Sequence, residues 1–211
     1  MRDSLDVVKT SLSDLWEDVW SMAVCNLIWL VAVVLVLPGP PATLALFDYA
    51  NRRAHGEPAG VRVFLSDLPR YAWAGWRWGL FTAALVGLLL GDFKLTGQLG
   101  GGEFIRFAQG FYLASLLIGL FLQLYALPFL IEQEQPSLRL ALRNAAVLLG
   151  RNLGFSICLG ALLAALLAAG TALFLLSLAM GGVWLALVGN YAVLNRLATS
   201  RVGSKASISE T

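Results

Sequence analysis

Residues 152–195 form a run of 44 residues without a single charge, bounded by Arg151 and Arg196. At 1.5 Å per residue, one helix through that run would be ~66 Å long, about twice the ~30 Å hydrocarbon thickness of a bilayer. The run therefore predicts two spans folded as a tight hairpin, with both flanking arginines on one side. The turn falls near Gly170-Thr171 or near Gly181-Gly182, and both remain open. Composition agrees with a membrane solvent. The 211 residues are 58% hydrophobic and 13% charged, against ~25% charged in soluble domains. Disorder, a secreted disulfide scaffold and a nucleic-acid module are excluded. The net charge of +2 is too small to argue for a polyanionic partner.

Three further apolar blocks complete the expected set. They run over about 19–37, ending at Pro38-Gly39-Pro40-Pro41, over about 73–91, and over 107–131. With 152–173 and 176–195, they make an all-α polytopic transmembrane bundle of five spans. Residues 1–198 form one membrane domain, and 199–211 are expected as a polar flexible tail. The first twenty residues carry five acids and no apolar centre, so they are not a cleavable signal peptide.

Lys and Arg set the orientation. With the N-terminus outside, eleven positive charges face the cytoplasm and four face out. This predicts a multi-pass protein of the cell (plasma or inner) membrane, N-terminus out and C-terminus in. The rival has residues 4–20 crossing or re-entering, which puts the N-terminus inside. Five acids in that segment oppose it.

Two cytoplasmic connections are too apolar for plain loops. Residues 42–54 place Leu44, Phe47 and Ala54 on one side, with Asp48 and Arg52 as an i,i+4 pair on the wet side. Residues 61–68 read as another short helix. Residues 136–150 set Leu138, Leu142, Ala145 and Leu149 at helical spacing beside Arg139 and Arg143. Both longer segments read as interfacial helices on the cytoplasmic leaflet. Arg139 and Arg143 are a candidate face for lipid or a partner. The order span, proline, amphipathic helix, basic-aromatic edge, span occurs twice, which suggests a weak internal repeat of two hairpins.

The run PGPPATLALFDYANRRAHGEPAGVRVFLSDLPRYAWAGWRWG and the later ALPFLIEQEQPSLRLALRNAAVLLGRNLG resemble the YesL-like family of small bacterial membrane proteins. Pro38, Gly56-Glu57, Phe64 and Arg151-Asn152 carry the resemblance, which covers roughly residues 5–198. The glycine-rich second loop, 91–102, is shorter than the family pattern. The resemblance implies no established biochemical activity and an association with carbohydrate uptake.

No catalytic constellation is present. His55 is the single histidine, beside a turn glycine, and reads as a solvated residue. Cys25 and Cys158 lie in apolar blocks and read as packing residues. No P-loop, GxSxG or HExxH occurs, so no catalytic residue, cofactor or metal is expected. Asn26, Gln123 and Asn190 are neutral polar residues within spans. They are candidates for a solute path, although such amides more often bridge helices. Gly75, Gly79, Ala83, Gly87 and Gly91 recur every four residues in the second span. They form a smooth ribbon for close helix packing inside one protomer or, alternatively, at a homo-oligomer seam. Beside Arg70 and Arg77, the aromatic group Tyr71, Trp73, Trp76 and Trp78 reads as an inner-interface anchor. The expected partners are the lipid bilayer, other membrane transport subunits and a second copy, with no nucleic acid. The leading functional expectation is a non-enzymatic accessory component of a carbohydrate transport or uptake system. The alternative is a small solute transporter or channel, alone or as a homo-oligomer.

Overall fold

Pro38, Gly39, Pro40 and Pro41 end one helix and begin the next. A computed structural model describes the backbone of residues 2–17, 19–171 and 174–209, and the side chains of 3–11, 19–167 and 181–198. Within the described residues the chain is helical, with no strand. Helix α1 is Arg2–Glu17 and α2 is Val19–Val34. After a turn in which Val36 adopts a φ of 63°, α3 runs from Gly39 to Ala54. Pro40 and Pro41 occupy its first turn, where the missing N–H groups would have no helical acceptor. A β-branched residue at positive φ is uncommon and marks a sharp reversal.

Helix α3 folds back antiparallel along α2. Gly39 lies against Val33, the Trp29 indole donates to Thr43 Oγ1 (3.0 Å), and the Tyr49 hydroxyl donates to Ser21 Oγ (3.3 Å). The free end of this hairpin, Val34 to Leu37, is exposed and wholly apolar. So the block 19–37 is a 16-residue helix followed by an immediate return. At ~24 Å, α2 is shorter than the hydrocarbon layer.

The expected interfacial position of residues 42–54 is overturned. Every residue from Leu44 to Ala50 is buried, so α3 is covered on all sides, by α2, α4, α5, α6 and α9. The Asp48–Arg52 pair forms at 2.8 Å, yet Asp48 is 9% exposed rather than wet. Small residues explain the burial: Ala42, Ala45 and Ala50 let neighbouring helices approach closely.

Helix α4, Val61–Arg70, leads into α5, Ala72–Gln98, which pairs with α6, Glu103–Ile131, as a long hairpin. Among the described residues, these two helices are each long and apolar enough to cross a membrane. Helices α7, Leu138–Arg151, and α8, Leu153–Thr171, meet at a bend of 99° and make a third candidate if counted as one broken span. Among the described residues, two or three such helices therefore stand out, rather than a clear set of five.

Helix α9 is Phe174–Ser209, so its backbone stays helical through most of the expected flexible tail. The candidate turn at Gly170-Thr171 adjoins residues 172–173, which lie outside the described residues. Gly181-Gly182, the other candidate turn, lies inside α9. A Cβ on Gly182 would sit 2.6 Å from Asn26 Oδ1 and 2.7 Å from the Trp29 ring, so this glycine serves the approach of α2.

The chain ends also differ from expectation. Asp3 pairs with Arg196 at 2.7 Å, and Val7 and Val8 pack with Leu159, Leu163, Val188 and Val193. The start of α1 therefore lies beside the arginine that closes the last apolar block, not at the opposite end of the bundle.

A basic cleft at the charged end

The chain leaves α6 through a side-chain clamp. The Gln133 amide donates to the Phe129 carbonyl (2.9 Å), and its Oε1 accepts the Ser137 N–H (2.8 Å). Helix α7 then docks on α6 through Ala141 and Ala145, both fully buried. Of the face read from the spacing, Ala145 is fully buried and Leu138, Leu142 and Leu149 are half-buried, while Ala141 is not among its residues. Arg139 and Arg143 are exposed, as that reading requires, but Leu140 and Val147 are exposed as well. At Asn152 the helix stops, and the amide of that residue donates back to the Leu148 carbonyl (2.9 Å). The 99° bend follows, and α8 carries Phe155 beneath the Arg196 guanidinium, 4.0 Å from the ring centroid.

These elements enclose a cleft of about 790 Å3 between α7 and α9, lined by Arg143, Asn144, Val147, Arg151 and Arg196 among others. Arg143 and Arg151 are two turns apart on one face of α7. Arg196 is 9% exposed and donates to Asp3 and to its neighbour Asn195. The Arg196 guanidinium holds the Asp3 carboxyl below the usual carboxylate range. Arg139 does not line the cleft. The sequence singles out Arg143 as a candidate face, whereas Arg151 and Arg196 stand there as span boundaries, Arg151 also within the family resemblance. Their convergence needs both the α7–α8 bend and the return of α9.

A second cleft of about 460 Å3 shares Phe129 and Leu197 with the first and reaches His55, Glu132 and Asn190. The Asn51 amide donates to Glu132 (2.6 Å), and His55 Nδ1 lies 2.9 Å from the Asn51 carbonyl.

The three candidate solute-path amides lie apart from one another and join helices. Asn26 Oδ1 accepts the Val183 N–H (3.1 Å), linking α2 to α9. Gln123 Oε1 accepts the Trp78 indole N–H (2.9 Å), linking α6 to α5, while its amide nitrogen is buried with no partner among the described residues. Asn190 donates to the Phe47 and Ala186 carbonyls (3.4 and 2.9 Å), linking α9 to α3.

The glycine ribbon divides. A Cβ on Gly75 would lie 2.7 Å from Pro41 N, and one on Gly79 would lie 2.7 Å from Pro40 Cγ. Gly87 and Gly91 face open space, and Ala83 is exposed. The aromatic anchor divides too. Trp73 is 76% exposed, whereas Tyr71 is buried and donates to Asp48 Oδ1 (3.0 Å).

That last bond belongs to a polar latch of which the sequence disclosed the Asp48–Arg52 pair but not Asp67, Arg70 and Tyr71 as its partners. Arg52 donates to Asp48 and faces Asp67 at 3.6 Å, and Arg70 lies 3.8 Å from Asp67. Burial pushes the Asp67 carboxyl up, with the hydrogen bond and charge of Asp48 adding to the shift. The latch fixes α4 against α3 and the start of α5. Among the described residues, no group of three or more His, Cys, Asp or Glu is placed to hold a metal. No family model, curated protein or solved structure matches the chain.

Proposed function

We propose that this chain is a non-enzymatic integral membrane protein that assists a transport or uptake system rather than conducting solute itself. The observation that carries this reading is the use of Asn26, Gln123 and Asn190 in separate helix-to-helix hydrogen bonds. Polar groups in a bundle that carries solute must face a shared path, whereas each of these bonds a neighbouring helix, and of the three it is Asn190 that also borders a cleft. A carbohydrate cargo for the assisted system rests on the family resemblance alone.

The topology we adopt has four crossings, α5, α6, α8 and the first part of α9, with α2–α3 entering and leaving at one end. The antiparallel α2–α3 contacts and the Asp3–Arg196 pair support it. It gathers thirteen of the 15 Lys and Arg at one end by chain position and leaves Lys94 and Arg106 at the other. That asymmetry is steeper than in the five-span arrangement and assigns the crowded end to the cytoplasm. In this arrangement α7, bent sharply from α8, lies along the cytoplasmic interface.

Two measurements test the reading. Purification from native membranes is expected to recover a transport subunit, and proteoliposomes of the pure protein are expected to show no sugar flux. Flux by the pure protein overturns the accessory role. Single cysteines at Asp6, Glu57 and Gly101 test the topology: the first two should label from the cytoplasm and the third from outside.

A further inference from the structure

We propose that the cleft between α7 and α9 binds a phosphate group, and that Asp3 is a built-in competitor for it. The inference does not depend on the accessory role, since either can fail while the other stands.

Three guanidinium groups line the cleft, and none of the described residues lining it is a carboxylate. Arg143 and Arg151 make no ion pair among the described residues. Arg196 is nine-tenths buried, flat against Phe155, and its Nη2 is met by the Asp3 carboxylate at 2.7 Å. A buried guanidinium requires an anion close by, and an oxyanion is what the fold supplies. Asp3 comes from the first turn of α1, with a side chain 57% exposed, so it can swing away while Val7 and Val8 keep the helix docked.

One carboxylate offers two oxygens and one charge, and leaves the cleft with an excess of two positive charges. A phosphate group offers more acceptor oxygens, and the planar donor fork of Arg matches it in bidentate fashion. The walls are apolar at Val147, Leu148 and Leu197, and Val147 is exposed. Such a site suits the phosphate of an anionic lipid or of a small soluble phosphate ester.

The test uses the full-length protein in neutral maltoside detergent. It is titrated separately with sodium pyrophosphate and with short-chain phosphatidylglycerol, against sodium chloride at matched ionic strength. A saturable rise in melting temperature beyond the chloride control is expected for at least one probe. A response to pyrophosphate alone marks a soluble ligand, and a response to phosphatidylglycerol alone marks a lipid. Arg143→Gln and Arg151→Gln, both at exposed positions, should each weaken binding at least tenfold with the unliganded melting temperature unchanged. Asp3→Asn should tighten binding severalfold. Arg139→Gln, outside the cleft, should leave it unaltered. The phosphate site is overturned if neither probe exceeds chloride, or if Arg139→Gln weakens binding as much as Arg143→Gln. The competitor role is overturned if Asp3→Asn leaves affinity unchanged or lowers it.

Discussion

Helix α5 is far more apolar than α3, yet α3 is the buried one. Ten of the sixteen residues of α3 are buried, among them Asp48. Of the 27 residues of α5, only Gly75 is. The outer half of the α5–α6 hairpin exposes Leu88, Leu95, Phe104, Phe107 and Phe111. In water this arrangement would be inverted, because burial there follows apolar area. In a bilayer lipid tails satisfy leucine as well as a protein interior does, so packing selects small residues and hydrogen-bonding groups instead. Helix α3 has both. Its alanines admit neighbours, and its Tyr49, Asp48 and Thr43 bond to three other elements or side chains around it.

The largest expected effect tests this contrast directly. Leu44 is fully buried in the cluster around α3, and Leu88 is 68% exposed. Leu44→Ala should cost about 2–5 kcal/mol through lost contacts and a cavity. Leu88→Ala should stay within about 0.5 kcal/mol. Unfolding in detergent measures both, and equal losses would break the comparison.

A smaller effect divides α5 against itself. Gly75→Ala forces a methyl into the backbone of Pro40 and Pro41, and overpacking of this kind costs about 1–3 kcal/mol. Gly87→Leu meets open space within one protomer and should be near neutral. If Gly87→Leu instead matches Gly75→Ala, the outer half of the ribbon is covered by a second copy, and cross-linking at Gly91 would show it.

The helical class was legible because apolar run length is a local signal, but the helix limits were not: α5 runs on to Gln98, past the expected end at 91 and into the glycine-rich segment 91–102. On α7 the spacing marked Ala145 but missed Ala141, the other fully buried residue of the docking face. What the sequence hid were pairings between distant segments. Asp3 meets Arg196 across the length of the chain, and nothing near either residue says so. The tetrapeptide Pro38-Gly39-Pro40-Pro41 correctly reads as a helix end. The same prolines suit a first helical turn, so the immediate return of α3 was equally compatible with it. The glycine ribbon was visible as a stripe, but only the position of Pro40 and Pro41 reveals which half is occupied.

The interhelix amides give a third, still smaller contrast. Asn190→Ala removes donors to two carbonyls between α9 and α3. It should cost about 0.6–1.7 kcal/mol, the range for polar bridges in membrane bundles. On the hairpin, Gln109 donates to the Phe93 carbonyl at a longer 3.3 Å, and Gln109→Ala should cost less. The reverse order would mean that the hairpin tip, not the α3 neighbourhood, holds the bundle together.

The smallest effect depends on pH and concerns the latch at the end of α3. Asp67 is 8% exposed, faces Arg52 of α3 and Arg70 of its own helix, and takes a hydrogen bond with Asp48. Burial first, then Asp48, raises its carboxyl above the usual range, and the two arginines only partly offset this. A group whose folded value is raised binds its proton more tightly when folded. Its contribution is therefore complete below the ordinary carboxylate value of ~3.9 and is lost as pH rises through the raised one. Asp3 has the opposite sign. Its lowered value stabilises above the ordinary range, and that stability is lost as pH falls through the lowered value. Asp67→Asn mimics the protonated acid and keeps a donor toward Asp48. The melting temperature of the variant relative to the natural chain should therefore rise between pH 4 and pH 7, while Asp3→Asn should lose ground mainly as pH rises toward 4 and change little above it. A difference for Asp67→Asn that is flat with pH would mean that the carboxyl stays ionised throughout, and that the arginines rather than burial govern the latch.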